Sequence, residues 1–289
     1  MTDITIATHN GNFHADDVFS VAALKCVIPS FKLIRTRDLE VIAQADIVLD
    51  VGGEYDPDAG RFDHHQRGGA GERENGIPYS SFGLIWKKYG LEICGGDQDV
   101  AISVDSGLVS NIDAVDCGHV EGVSKGISLS QTISMFNPTW QEESQFDACF
   151  EEAVEFAHRI LKRFIASATG GISAKVIVAK AIETAEDPRL IVLEQYTPWK
   201  RTVHALSEDA LFMVYPSDSG QWRIQAVPVE PGSFENKKSL PQSWAGLSNK
   251  ELQEVTGIDD AMFCHNGLFI AGATSFEGTM KMAAMALEE

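Results

Sequence analysis

The sequence predicts an α/β protein: a mostly parallel sheet flanked by helices, then a linker helix and a smaller α/β domain. Three observations predict it. Short β-branched, apolar runs alternate with helical patterns through the first half of the chain. His and Asp residues collect where those runs end. One long amphipathic stretch then separates the first half from a second set of strand-like runs.

ITIAT (residues 4–8) reads as a buried strand, and residues 16–28 as a helix whose Asp16 and Asp17 suit the N-terminal dipole. FKLIRTR (31–37) is a second strand, residues 38–45 a short helix, and DIVLDVGG (46–53) a third strand ending in a glycine turn. GRFDHHQ (60–66) carries a further short strand into two histidines. SSFGLIWKKYG (80–90) reads as a helix stopping at Gly90, and residues 98–115 place Val100, Val104, Leu108 and Ile112 at helical spacing. Such alternation implies parallel strands covered on both faces. Residues 142–168 form the amphipathic helix, with Phe150, Ala153, Val154, Ala157 and Leu161 in its stripe, and TGG (169–171) is its expected stop. AKVIVAK (174–180), LIVLEQ (190–195), ALFMVYP (210–216) and WRIQAVPV (222–229) read as strands, and the chain closes with strand, glycine turn and helix. The expected domains are 1–140 and 172–289, joined by a linker helix over 141–171.

Five scattered cysteines form no CxxC pair, which argues against a disulfide framework and for a reducing, cytoplasmic setting. No run of 18 apolar residues suggests a membrane span, and MTDITIATHN does not read as a signal peptide. The formal charge of −19 weakens capture of duplex DNA. It does not oppose a phosphate substrate held through bound cations. No GxxxxGK[ST] occurs, which excludes a P-loop NTPase.

The chemistry lies in the first half. His9 follows one strand, and His14 and Asp16 open the next helix. Asp50 ends IVLD, Asp63, His64 and His65 follow RF, and Asp113 and Asp116 end the 98–115 helix. In parallel sheets, ligands bind beyond the carboxyl ends of strands. Taken singly, a buried His is more often a bonded core residue and a helix-start Asp a simple cap; the shared placement is what points to a metal site. The set is imidazole and carboxylate, suited to Mn²⁺, Fe²⁺, Co²⁺ or Zn²⁺, and it exceeds what one ion needs. Two ions sharing a carboxylate would use it, the arrangement that hydrolyses phosphate esters.

The order His…Asp, Asp, DHH, Asp resembles the motifs of the DHH phosphoesterase superfamily. More narrowly, THNGNFHADD, DIVLDVGGEYDP, RFDHHQ, PYSSFGLIWKKYG, NIDAVDCG, FNPTW, RIQAVP and FCHNGLFIAGATSFEGTMKMA are similar to the MYG1 (UPF0160) family, over nearly the whole chain. The resemblance implies a DHH-type catalytic domain with two divalent ions, Mn²⁺ first among them. It implies His9, His14, Asp16, Asp50 and His64 as ligands, Asp50 bridging, Asp63 orienting a histidine and His65 facing the phosphate. His14 stands where the superfamily carries an Asp, with one extra residue before it. The fourth motif fits either Asp113 or Asp116. The second domain resembles an accessory substrate domain, which makes His265, Gly267, Arg223 and Lys200 candidate substrate contacts, with Asn266, Gly272 and Lys281 beside them; Trp199 and Phe269 are candidates to stack a base. The implied activity is a metal-dependent phosphodiesterase, a 3′–5′ exonuclease on RNA or short oligonucleotides, with no membrane partner and a homodimer as a further expectation. The alternatives are a small-molecule phosphatase or pyrophosphatase with the same metals, a metal-dependent protein hydrolase, and a non-catalytic binding protein.

Overall fold

The computed structural model describes residues 4–119 and 126–289. It is a mixed α/β protein with two five-stranded sheets, and it divides into two compact units, Met1–Thr169 and Gly170–Glu289.

The first unit opens with β1 (Ile4–Thr8), α1 (Ala15–Val27), β2 (Phe31–Arg35), α2 (Leu39–Gln44), β3 (Ile47–Leu49), β4 (Tyr55–Asp56) and β5 (Arg61–Phe62). The sheet order is β2-β1-β3-β5-β4, parallel throughout except for β4. Ile6, Ala7, Val48, Leu49 and Phe62 are fully or almost fully buried, as strands covered on both faces require. α3 (Ser81–Ile93) packs on α1, with Phe82 set 5.4 Å from Phe19, ring to ring. α4 (Gln98–Val104) passes through one π-helical stretch, Asp105–Val109, into α5 (Ser110–Asp116), and α6 (Leu129–Ser134) follows.

The first departure from the sequence reading is at Gly90, which does not stop α3. Gly90 keeps a negative φ and lies against the Trp86 ring, where a Cβ would come within 2.8 Å; the helix ends three residues later, before Gly95 turns left-handed at φ 66°. The second is larger. α7 runs unbroken from Phe146 to Glu183, so TGG does not end it and 174–180 is not a strand. Gly170 and Gly171 are absent from the left-handed region that a terminating glycine would occupy. Each costs helix about 1 kcal/mol relative to Ala. The buried stripe nevertheless continues: Phe150, Ala153, Val154, Ala157 and Leu161 serve the first unit, and Ala174 and Val178 lie buried beyond the glycines. α7 is also long and apolar enough, by length and composition alone, to cross a membrane, a property that counting consecutive apolar residues missed.

After α7 the second unit continues with β6 (Leu190–Val192), α8 (Lys200–Leu206), β7 (Phe212–Pro216), β8 (Trp222–Ala226), α9 (Asn249–Thr256), β9 (Ala261–Cys264), β10 (Ile270–Ala273) and α10 (Phe276–Glu288). Its sheet order is β6-β7-β8-β10-β9, antiparallel except for β6 on β7. Period-two alternation splits the core. Phe212 and Val214 join Ile224, Trp244, Met282 and Ala283, whereas Met213 and Tyr215 join Val178, Trp199 and Val203 on the other face.

Candidate metal centre

β1, β3 and β5 are neighbours and parallel, so their carboxyl ends open on one edge. His9 follows β1, Asp50 follows β3, and Asp63, His64 and His65 follow β5. α1 starts at the same edge and brings His14 and Asp16; α5 ends there and brings Asp116.

The result is a closed ring of donors. Four trios each hold one ligand atom per residue within 4.8 Å of one another: His9–His14–Asp50, Asp50–His64–His65, His64–Asp116–Cys117 and His14–Asp16–Asp116. Asp50 sits between two histidines, Oδ2 at 3.2 Å from His9 Nε2 and Oδ1 at 3.2 Å from His64 Nε2. His64 Nε2 also lies 3.2 Å from Asp116 Oδ2 and 3.8 Å from Asp16 Oδ2. His9 Nδ1 is 3.2 Å from the Asn10 carbonyl, which leaves Nε2 for the cluster. Asp50 is held at φ 54°, a left-handed conformation that Asp enters more readily than most residues.

These groups are out of solvent. Asp16 is fully buried and Asp50 is 3 % exposed. Four of their polar atoms, Asp16 Oδ1, Asp17 Oδ2, Asp50 Oδ1 and His64 Nε2, are buried without a hydrogen-bond partner. Buried polar atoms are ordinarily bonded, and four left without a partner in and beside this ring fit a cation-binding set. The charges agree. Burial alone would lower the His9 pKa, but Asp17 and Asp50 raise it to about 10. Burial would raise Asp50, but His64 and His9 hold it near 2. Asp16 is pushed up by burial and then by the carboxylates of Asp50, Asp116 and Asp17. His64 is raised because Asp116 and Asp50 outweigh its burial.

Asp63 stands behind the ring. Its Oδ1 accepts from the backbone N–H groups of His64 (2.7 Å) and His65 (3.1 Å) and pairs with His65 Nδ1 at 2.8 Å; its Oδ2 accepts from Gly53 N–H. The His65 side chain is 62 % exposed at the rim. A cavity of about 370 Å³ opens there, lined by His9, His14, Arg37, Asp50, Asp63 and His65. A larger cavity in the same unit, about 1040 Å³, is lined by Lys25, Phe31, Phe136 and Arg159 and holds none of these donors.

Of the two fourth-motif candidates, the structure brings Asp116 to the ring and not Asp113. Asp113 is fully buried one turn deeper, where its carboxylate takes Arg73 Nη1 (2.8 Å), Ser80 Oγ (2.6 Å) and Gly83 N–H (3.0 Å). Burial pushes its pKa up to about 6 against the pull of Arg73. Three residues were missed by sequence reasoning. Asp17 lies 3.2 Å from His9 Nε2 and accepts from the His14 backbone N–H, and its only signal was the Asp16–Asp17 doublet. Arg37 carries no motif signal beyond standing next to a strand end, and Cys117 lies within NIDAVDCG without being read as part of the site.

In the second unit, Arg223 on β8 lies over the Phe263 ring at 4.9 Å and donates to Gln221 Oε1 at 2.8 Å. Gly272 faces it across the ladder, where a Cβ would come within 2.7 Å of Arg223 Nη1. His265 and Gly267 share the β9–β10 turn, Gly267 N–H donating to His265 Nδ1 at 2.9 Å, with the Phe269 ring 4.4 Å from His265 and tilted by 52°. Exposed Lys200 begins α8 and lies over the Trp199 ring at 5.9 Å. Trp199 is only 2 % exposed and packs in the core, so it does not offer a face to a base.

The family model for MYG1 exonuclease, described as an uncharacterised protein family (UPF0160), matches residues 5–287. Among similar proteins, the human MYG1 exonuclease is 33 % identical, the match covering 98 % of this chain and 86 % of that one. A Schizosaccharomyces pombe MYG1 protein is 32 % identical over 99 % of this chain and 98 % of its own, and a Caenorhabditis elegans MYG1 protein 34 % over 98 % and 95 %. With a ring of His and Asp at the strand ends and these matches along its length, the chain belongs to the MYG1 (UPF0160) family.

Proposed function

We propose that the protein is a metal-dependent phosphodiesterase of the DHH type, acting as a 3′–5′ exonuclease on RNA or short oligonucleotides. The observation that carries this reading is Asp50, one carboxylate with a histidine-bearing group on each side. His9, His14, Asp16 and Asp50 would hold one divalent ion, and Asp50, His64 and Asp116 the other. Two such ions, Mn²⁺ in our reading, supply a nucleophile at neutral pH and charge to offset the developing oxyanion.

The chain's own groups do the rest. Asp63, fixed by three backbone N–H groups, takes His65 Nδ1 and leaves Nε2 facing outward. From there His65 would face a non-bridging phosphate oxygen. Arg37, which lines the cavity at the rim, adds positive charge for the same phosphate. Lys200, Arg223, His265 and Gly267 are assigned to substrate binding in the second unit. The names of the mammalian relatives support a nuclease, and the mixed imidazole–carboxylate set supports a transition metal.

The test is hydrolysis of a 5′-labelled short RNA by metal-stripped protein resupplied with Mn²⁺, beside Asp50→Asn. A ladder shortening from the 3′ end and lost in the variant is the expected result. Hydrolysis of pyrophosphate or a mononucleotide with the RNA left intact would replace the exonuclease by a small-molecule phosphatase.

A further inference from the structure

We propose that Asn137 is the positioning residue for His14: its side-chain amide fixes the peptide unit leading into this ligand and thereby sets the affinity of the ion that His9, His14, Asp16 and Asp50 would hold. The inference rests on the metal-centre reading. It gives a task to FNPTW, the motif that contains Asn137 and that the reading leaves without one.

Among the proposed ligands, only His14 is an exposed residue. Packing does not confine an exposed ring, so its place depends on the backbone that carries it. That backbone is held from 124 residues away. Asn137, which follows α6, accepts from Phe13 N–H through Oδ1 at 3.0 Å and donates from Nδ2 to Phe13 C=O at 2.9 Å. Nδ2 also donates to Ser134 C=O at 3.2 Å, which fixes the orientation of the amide. The Phe13–His14 peptide is held at its other end too, His14 N–H donating to Asp17 Oδ1 at 3.0 Å. A peptide unit is planar, so fixing its oxygen and its hydrogen fixes the plane. Only the rotations of His14 itself remain to place the ring. Phe13 is fully buried, edge-on to Phe150 at 5.3 Å, and Arg35 Nη2 donates to Gly11 C=O at 2.7 Å. The stretch from His9 to His14 is thus pinned both from the end of β2 and from the segment after α6.

The residue type suits the task. A short carboxamide offers an acceptor and a donor in one plane, as a neighbouring strand does. Alanine offers neither. Aspartate keeps the acceptor for Phe13 N–H but sets a carboxylate oxygen against Phe13 C=O, because an ionised carboxylate only accepts. Without the clamp, only a fraction of molecules present His14 in the binding pose, and affinity falls by that fraction. His64 and Asp116 come from other elements, after β5 and at the end of α5, and do not depend on this stretch.

The test titrates the metal-stripped full chain with Mn²⁺, the free ion being read by electron paramagnetic resonance. Asn137→Ala should weaken, roughly tenfold or more, the same Mn²⁺ that His14→Ala weakens, and leave the other within about twofold. The double variant should bind no more weakly than His14→Ala alone, because the amide acts through that imidazole. A loss shared equally by both ions, or an additive loss in the double variant, is what a merely structural role gives, and either overturns the proposal. Unchanged binding in Asn137→Ala overturns it as well. No Mn²⁺ bound to the wild type overturns the metal-centre reading itself, and this proposal with it. Should Asn137→Ala fail to fold, Asn137→Asp, nearly identical in shape, decides: the same selective loss supports the clamp, and binding as in the wild type overturns it.

Discussion

Asp50 occupies backbone space, φ 54°, that costs most L-residues about 1–2 kcal/mol and Asn or Asp less. Asp50→Asn should therefore keep the fold and lose at least about 100-fold in metal affinity and hydrolysis. Asp50→Ala should lose the same activity and also about 1 kcal/mol of stability by urea unfolding. The raised His9 pKa gives a pH prediction for the metal-free protein. His9 is lifted from 6.5 to about 10, so its contribution is fully present below pH 6.5 and is lost as pH rises through 10. The urea midpoint of metal-free protein should fall between pH 7 and 10, and His9→Gln should flatten that slope. Cation binding must displace this proton, so metal affinity should rise with pH, and calorimetry in buffers of different ionisation enthalpy should show proton release. His9, His14, Asp16, Asp50 and His64 were legible in the sequence because each stands at an element end that alternating patterns locate. Asp113 and Asp116 were not separable, because three residues apart on a helix is nearly one face. What divides them is about 4.5 Å of rise along the axis, which hydrophobic periodicity does not register.

At the scale of elements, Asp113 ties α5 to the start of α3 and to Arg73, whose guanidinium also grips Asp105. Asp113→Ala leaves a largely buried arginine with one partner fewer, and should cost about 3 kcal/mol. Metal stoichiometry, measured on the folded fraction, should stay unchanged. Asp116→Ala should show the reverse pattern, weak metal binding at near wild-type stability. Gly83→Ala tests the same joint from α3: its Cβ would overlap Asp113 Oδ2 and approach Tyr79 Cδ1 at 2.8 Å. We expect a loss of about 1–3 kcal/mol in denaturant titration. The helix boundaries were the least legible elements. Gly90 and the Gly170–Gly171 pair are each read from sequence as stops, yet both keep helical backbone: the first gives room to Trp86, and the second lies where apolar spacing carries on to Ala174 and Val178. A glycine ends a helix only where the chain turns left-handed, and neither does.

For the molecule as a whole, if the proposed nuclease reading holds, the charge of −19 would set a limit on substrate length. Repulsion from a polyanion grows with the number of phosphates and is screened by salt. Raising ionic strength should therefore increase kcat/KM for a long RNA relative to a dinucleotide, measured with the same labelled 5′ end. The alternation of strands and helices made the parallel first sheet readable; in the second unit the apolar runs marked β6, β7 and β8 as strands but not their mostly antiparallel pairing. The parallel pairing of β1, β3 and β5 also decides when the metal centre can exist. No hairpin can bring their ends together, since parallel neighbours need crossover connections. The donors span the sequence from His9 to Asp116 and meet only once these non-local pairs have formed, the slow part of folding for such topologies. In a refolding experiment, helical circular dichroism should return first and cobalt capture last. A cation bound there would therefore not nucleate this fold; it would arrive at a scaffold that has already brought its buried carboxylates together unaided.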